Sequence, residues 1–266
     1  MDSTDVLLLS LLILLAAALY SSVGHGGASG YLAAMALFGL APAVMRPTAL
    51  CLNILVSSLG ALRFHRAGHF RWRAFWPFAL TSVPAAYVGG AITLPTTVYK
   101  QLVGLALLFA AFRLSIHARR LARANDPNAR DDTSSGSATM TEEATTRDAP
   151  LGTAMLLGVL TGLLSGLTGV GGGIFLSPLL LLAGWANARQ TAAVSAAFIF
   201  VNSAAGLLGN PAGVKSVSAA LPYFALAALT GGLIGTEFGS RRLAPLWVRR
   251  LLAAVLVVAG LKLIFA

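Results

Sequence analysis

The stretch GHGGASG, residues 24–30, closes a run of nineteen uncharged residues, 6–24, and admits two incompatible readings. GASG, residues 27–30, has the G-x-S-G spelling of an intramembrane serine hydrolase with Ser29 as nucleophile. The same glycines could instead interrupt a membrane helix, leaving backbone N–H groups free to hold a ligand. What the rest of the chain supplies as partners decides between them.

With 57% apolar and 11% charged residues over 266 positions, the chain has too little polar surface for a soluble globule of its size. Apolar runs near the ~20 residues that span a bilayer as a helix recur along the sequence, without the alternation of barrel strands. The fold class is therefore an all-α polytopic membrane protein. The acidic start MDSTD argues for a retained first helix rather than a cleaved leader. Cys51 is the single cysteine, so no internal disulfide and no cysteine metal cage can form. Neither a metal nor a cofactor is called for. A net charge of +10 does not point to nucleic acid, because the basic residues cluster between apolar segments and set orientation instead.

The apolar segments run at 6–22, 28–41, 46–64, 73–94 and 98–116, and again at 151–168, 173–184, 189–208, 216–239 and 247–265. Residues 119–149, polar and poor in large hydrophobes, read as a disordered cytoplasmic connector between a first repeat, 1–118, and a second, 150–266. VGHGGASGYL (23–32) stands opposite GVGGGIFLSP (169–178), RPTA (46–49) opposite RQTA (189–192), and YVGGAI opposite LTGGLI. Placing the arginine-rich RFHRAGHFRWR (63–73), the connector and RRLAPLWVRR (241–250) inside leaves Arg46, Lys100, Lys215 and Lys262 outside, with the N-terminus outside too. The repeats then have inverted topology, each a glycine-broken re-entrant hairpin followed by three transmembrane helices. This is a recurrent plan for secondary transporters, with the site near the midplane.

A hydrolase at Ser29 needs a histidine base from another span. His65 and His69 fall in a charged loop, His117 at a helix end, and His25 only four residues away; the second half has no histidine. The repeat partner GVGGGIF also lacks a serine, so what the two stretches share is glycine. Gly158, Gly162 and Gly166, like Gly231, Gly235 and Gly239, have the spacing of close helix packing. Three adjacent glycines, Gly171, Gly172 and Gly173, do not, and each costs ~1 kcal/mol in a helix. With Gly26, Gly27 and Ser29 of the first break they form the candidate anion site, joined by Asn53 and Ser57 on one following segment and Ser195 and Asn202 on the other. Arg46 and Arg189, at the starts of those segments, are placed to attract anions at the two mouths. Glu237 reads as the i, i+4 ion partner of Arg241.

GLTGVGGGIFLSPLLLLAGW followed by RQTAAVSAAFIFVNSAAGLLG resembles the signature of the TauE/SafE sulfite exporter family of membrane permeases. The likeness extends over nearly the whole chain, duplication and connector included, and is strongest in the second half. It implies a multi-pass permease of the inner (plasma) membrane for sulfur oxyanions, organic sulfonates or carboxylates, with no enzymatic activity. It also implies coupling to an ion gradient, of protons or sodium. The expected partners are the anionic substrate and the lipid bilayer; a homodimer stays open. The expectation is thus an anion transporter working by alternating access, with an intramembrane serine hydrolase as the alternative.

Overall fold

The computed structural model describes residues 2–21, 26–124, 147–241 and 246–265, without the side chains of 117–124, 238–241 and 246–252. The expected disorder of the connector falls mainly on residues outside this set. So do His25 and the side chains of Gly239's surroundings and of Arg241, on which the Glu237–Arg241 pair depends.

Among the described residues every regular element is helical: α1 Ser3–Ser21, α2 Ala28–Leu37, α3 Pro42–Arg66, α4 Trp72–Ala91, α5 Thr96–Ala124, α6 Leu151–Thr168, α7 Gly173–Leu182, α8 Ala188–Leu208, a single turn α9 Pro211–Val214, α10 Leu221–Arg241 and α11 Leu246–Phe265. Five of these, α1, α3, α5, α6 and α8, contain stretches long and apolar enough to cross a membrane. The two helices behind the glycine breaks, α2 and α7, have only 10 residues each. At 1.5 Å per residue that is about 15 Å, half a hydrocarbon core, so neither can cross alone. Helix α5 runs on to Ala124, past the boundary drawn at 118.

The two halves interlock. The most extensive pairings are α4 with α6, α1 with α10, α5 with α11 and α3 with α8, all between halves. Exchanging each helix for its repeat partner turns the α4–α6 pairing into α10–α1 and leaves the other two unchanged. The glycine ladders explain the first two seams. A methyl on Gly162 would run into the Ser82 backbone, and one on Gly166 into the carbonyl of Ala86. Gly231 and Gly235 meet the carbonyls of Leu14 and Ala18 in the same way. In lipid there is no hydrophobic drive to bring helices together, so backbone approach through small residues carries the packing.

The short helices differ in their surroundings. All of α2 from Ala28 to Ala36 is buried, and it packs on α1, α3 and α11. Helix α7 lies chiefly on α8, and its tip is open, with Leu182 76% exposed. That tip is tied down from the connector side. Arg71 donates to the Trp185 carbonyl at 3.2 Å and to the Asp148 carboxylate at 2.8 Å, while the Arg147 N–H reaches the Gly184 carbonyl.

Candidate functional site

At the first break the chain enters α2 through Gly27, whose φ of 94° is open to glycine and strained for other residues. A methyl there would also lie 2.6 Å from the Tyr31 hydroxyl. That hydroxyl, one turn into α2, donates back to the Gly26 carbonyl at 2.7 Å. Ser29 is buried and its hydroxyl donates to the phenol of Tyr20 at 2.8 Å. Ser29 is thus engaged in tying α2 to α1.

The second break is more severe. Gly169, Gly171 and Gly172 all have positive φ, between 76° and 84°. The Gly169 N–H closes α6 on the Ser165 carbonyl, and the Gly172 carbonyl opens α7 by accepting from Phe175 and Leu176. Neither α2 nor α7 has a side-chain cap, so the first-turn N–H groups of both face the breaks unengaged by side chains.

Asn53 of α3 stands between the breaks. A methyl on Gly26 would lie 3.3 Å from its Oδ1, and one on Gly171 would lie 2.9 Å from its Nδ2, which donates to the Gly169 carbonyl at 3.4 Å. Ile199 of α8 fills the rest of the junction, against Gly26, Gly171 and Gly173 alike. Ser203, one turn beyond Ile199, flanks Gly171, while Ser165 and Phe198 flank Gly172. The two stretches that look alike in sequence therefore converge on one spot.

Buried polar atoms without a hydrogen-bond partner concentrate there. Among the described residues they are Ser21 Oγ, Arg46 Nε, Asn53 Oδ1, Ser165 Oγ, Asn202 Oδ1 and Ser203 Oγ. Asn53, Ser165 and Ser203 border the breaks directly, and Ser21 ends the helix that leads into the first. Each such group buried dry costs ~1–3 kcal/mol, so their grouping marks a place built to be filled. A crevice of about 10 Å³, close to what one water molecule needs, runs from Ser21 and Gly26 past Ser57 and Gly60 to Phe64 and Thr236.

The remaining sequence-predicted residues fall into different situations. Ser57 lines that crevice, its hydroxyl donating back to the Asn53 carbonyl at 2.5 Å. Ser195 pairs with Ser177 at 2.8 Å across the α7–α8 contact. Asn202 donates to the Phe198 carbonyl at 2.8 Å and leaves its Oδ1 unpaired. Arg46 is not presented at a mouth: it is 6% exposed, and its guanidinium donates to the carbonyls of Gly89, Gly90 and Ile92 at the end of α4. Arg189 is exposed at the start of α8, beside the Asn187–Gln190 capping box. Another arginine stands by the crevice. Arg63 donates to Thr236 Oγ1, and its neighbour Phe64 lines the opening. In the sequence Arg63 reads only as an orientation signal, and Ile199, an apolar residue in an apolar helix, carries no signal at all.

The family model of the sulfite exporter TauE/SafE matches residues 9–263 of this chain. The chain belongs to the TauE/SafE family. It is 38% identical over 262 residues to the probable membrane transporter protein y4hK of Sinorhizobium fredii, covering 98% of this chain and 99% of that one. It is 27% identical to the probable membrane transporter protein MamO of Magnetospirillum gryphiswaldense, over 98% of this chain and 45% of MamO. No solved structure matches significantly. The chain is thus a multi-pass membrane transporter of the TauE/SafE family. The hydrolase reading of Ser29 has nothing behind it, given a family of transporters and a hydroxyl already engaged by Tyr20.

Proposed function

We propose that this TauE/SafE protein carries a small anion across the inner membrane by alternating access around the junction of the two glycine breaks. A sulfur oxyanion, an organic sulfonate or a carboxylate fits the chemistry. The observation that supports it most is the pair of unsatisfied buried hydroxyls at Ser165 and Ser203, beside the break where two uncapped helix N-termini meet. An anion there would accept from first-turn N–H groups, where the dipoles of α2 and α7 are positive, and from the idle hydroxyls. The exchange of helix pairings between halves suits two inverted repeats rocking against each other.

Stabilisation of the purified protein by a panel of sulfite, thiosulfate, sulfate, taurine and small carboxylates tests the ligand class, since a ligand at 100 times its dissociation constant adds ~2.7 kcal/mol. No shift with any member would reject an anion site of this class. Topology is tested separately in a Cys51→Ser background with cysteines introduced at Ser134 and Lys215. Ser134→Cys should react only after permeabilisation and Lys215→Cys in intact cells; labelling from one side would reject the inversion.

A further inference from the structure

We infer that the crevice between α1, α3, α8 and α10 is the passage by which an anion moves between the junction and the arginine-rich end of α3, and that Arg63 guards it. The inference rests on the anion site proposed above, and names its way in and the residue that selects for charge there.

The crevice starts at the junction, since Gly26, one of its lining residues, belongs to the first break and stands against Asn53. From Asn53 a stripe of α3 leads away through Ser57 and Gly60 to Phe64, at i, i+4, i+7 and i+11, the spacing of one helix face. Eleven steps of 1.5 Å make about 16 Å, half of a ~30 Å hydrocarbon core. Small residues leave the room along it. Gly60 faces Ala196 of α8, where a methyl would come to 3.4 Å, an ordinary contact. Ser21, at the end of α1, is 4% exposed and lines the crevice too, and its hydroxyl has no hydrogen-bond partner. Its Oγ lies on the α10 side, 3.7 Å from where a methyl on Gly232 would sit. Buried and idle, that hydroxyl only costs stability; in a passage it is a donor for an anion in transit. In the opposite direction α3 is packed all round, with residues 45–50 buried without a gap. The structure is thus shut towards Arg46 and narrowly open towards Arg63.

Arg63 stands where the crevice ends, exposed in the last turn of α3 beside Phe64. The dipole of α3 favours a cation at that end, but the guanidinium reaches across to α10, donating to Thr236 Oγ1 and, at 3.4 Å, to the Leu233 carbonyl. Thr236 lines the crevice, and its own hydroxyl proton is committed to the Gly232 carbonyl at 2.8 Å, so its oxygen is left to accept from Arg63. The bond therefore joins the first half to the second across the opening. Being exposed, it exchanges readily for water. Bonded to Thr236, Arg63 bars the way; released, it clears the opening and offers its charge to an incoming anion. With Arg66 in the same turn it makes the local potential positive, which draws anions and repels cations.

Thiol modification of the purified full-length protein in a Cys51→Ser background tests this, with Gly60→Cys as the reporter inside the crevice and Gly152→Cys, in open space, as the reference. The probes are two methanethiosulfonate reagents, one an ethylsulfonate anion and one an ethyltrimethylammonium cation, with attachment followed by intact mass. Gly60→Cys should react with both and, relative to Gly152→Cys, favour the anion. Arg63→Gln should cut that preference on the order of tenfold. Thr236→Val, which keeps the charge but removes the bond, should speed both reagents and leave the preference intact. Ser57→Cys, one turn nearer the junction, repeats the test if Gly60→Cys does not purify. No change of preference in Arg63→Gln, or no change of rate in Thr236→Val, overturns Arg63 as the guard. A reporter that neither reagent reaches overturns the passage, and leaves the anion site standing wherever an anion of the panel still raises Tm. The expected labelling without a Tm response to any anion supports the passage and counts against the anion site alone.

Discussion

Arg46 and Arg189 begin the same helix in the two halves, RPTA and RQTA, yet one is buried against backbone carbonyls and the other is exposed. The difference comes from the helices that follow. Helix α4 ends at Ala91, immediately after Gly89 and Gly90, so the carbonyls of its last turn lack intrahelical donors and Arg46 supplies them. Helix α10 carries its paired glycines at Gly231 and Gly232 and continues to Arg241, so the corresponding carbonyls lie inside the helix. Two halves that share a sequence pattern can still differ in the place where a neighbouring helix stops. Arg46 has thereby become a fixed C-cap of α4 in a buried, dipole-favoured position.

The largest effects are expected at the seams the halves share. Gly162→Leu would force a side chain into the backbone of α4, and Gly235→Leu one into that of α1. Both should lose monodisperse protein on size exclusion, since such overpacking costs upwards of about 3 kcal/mol where backbone cannot move. If one seam tolerated leucine, the equivalence of the α4–α6 and α1–α10 pairings would be broken. Next comes the arginine pair. Arg46→Leu strands three carbonyls and should lower stability by about 2–4 kcal/mol, with a clear fall in Tm, whereas Arg189→Leu, at an exposed position, should lower it by clearly less. Equal losses would show that the contrast between the halves is not energetic. The smallest effect belongs to Ser195→Ala, which removes one hydroxyl pair with Ser177 and should cost about 1 kcal/mol in thermal unfolding.

Much of this architecture was legible in the sequence because glycine is costly in a helix. GVGGG and GHGGASG could be separated from the packing ladders by adjacency alone, and Gly162, Gly166, Gly231 and Gly235 do mediate helix contact as their spacing implies. Asn53 and Asn202 stood out as polar residues in apolar runs. What sequence could not supply was partnership. Ser165 reads like any hydroxyl that bonds its own helix, and only the structure shows that it does not. Ile199 is one isoleucine among many until both breaks are seen to lean on it. Arg46 was legible as a cation at a helix start, but the α4 terminus that holds it lies more than forty residues along the chain.

Whether the two breaks form one ligand site is tested best at Gly26, because it belongs to the first break while its neighbours Asn53 and Ile199 also touch the second. A methyl there meets Asn53 Oδ1 at 3.3 Å and Ile199 at 3.2 Å, close enough to press on the junction without a backbone clash. Gly152 has open space around it and serves as the control. The measurement is the anion-induced rise in Tm, using whichever anion of the panel stabilises the parent protein. Gly26→Ala should keep the parent Tm without ligand to within a few degrees but lose most of the anion response, while Gly152→Ala should respond in full. A full response in Gly26→Ala would contradict a single shared site, placing the ligand away from the meeting point of the breaks.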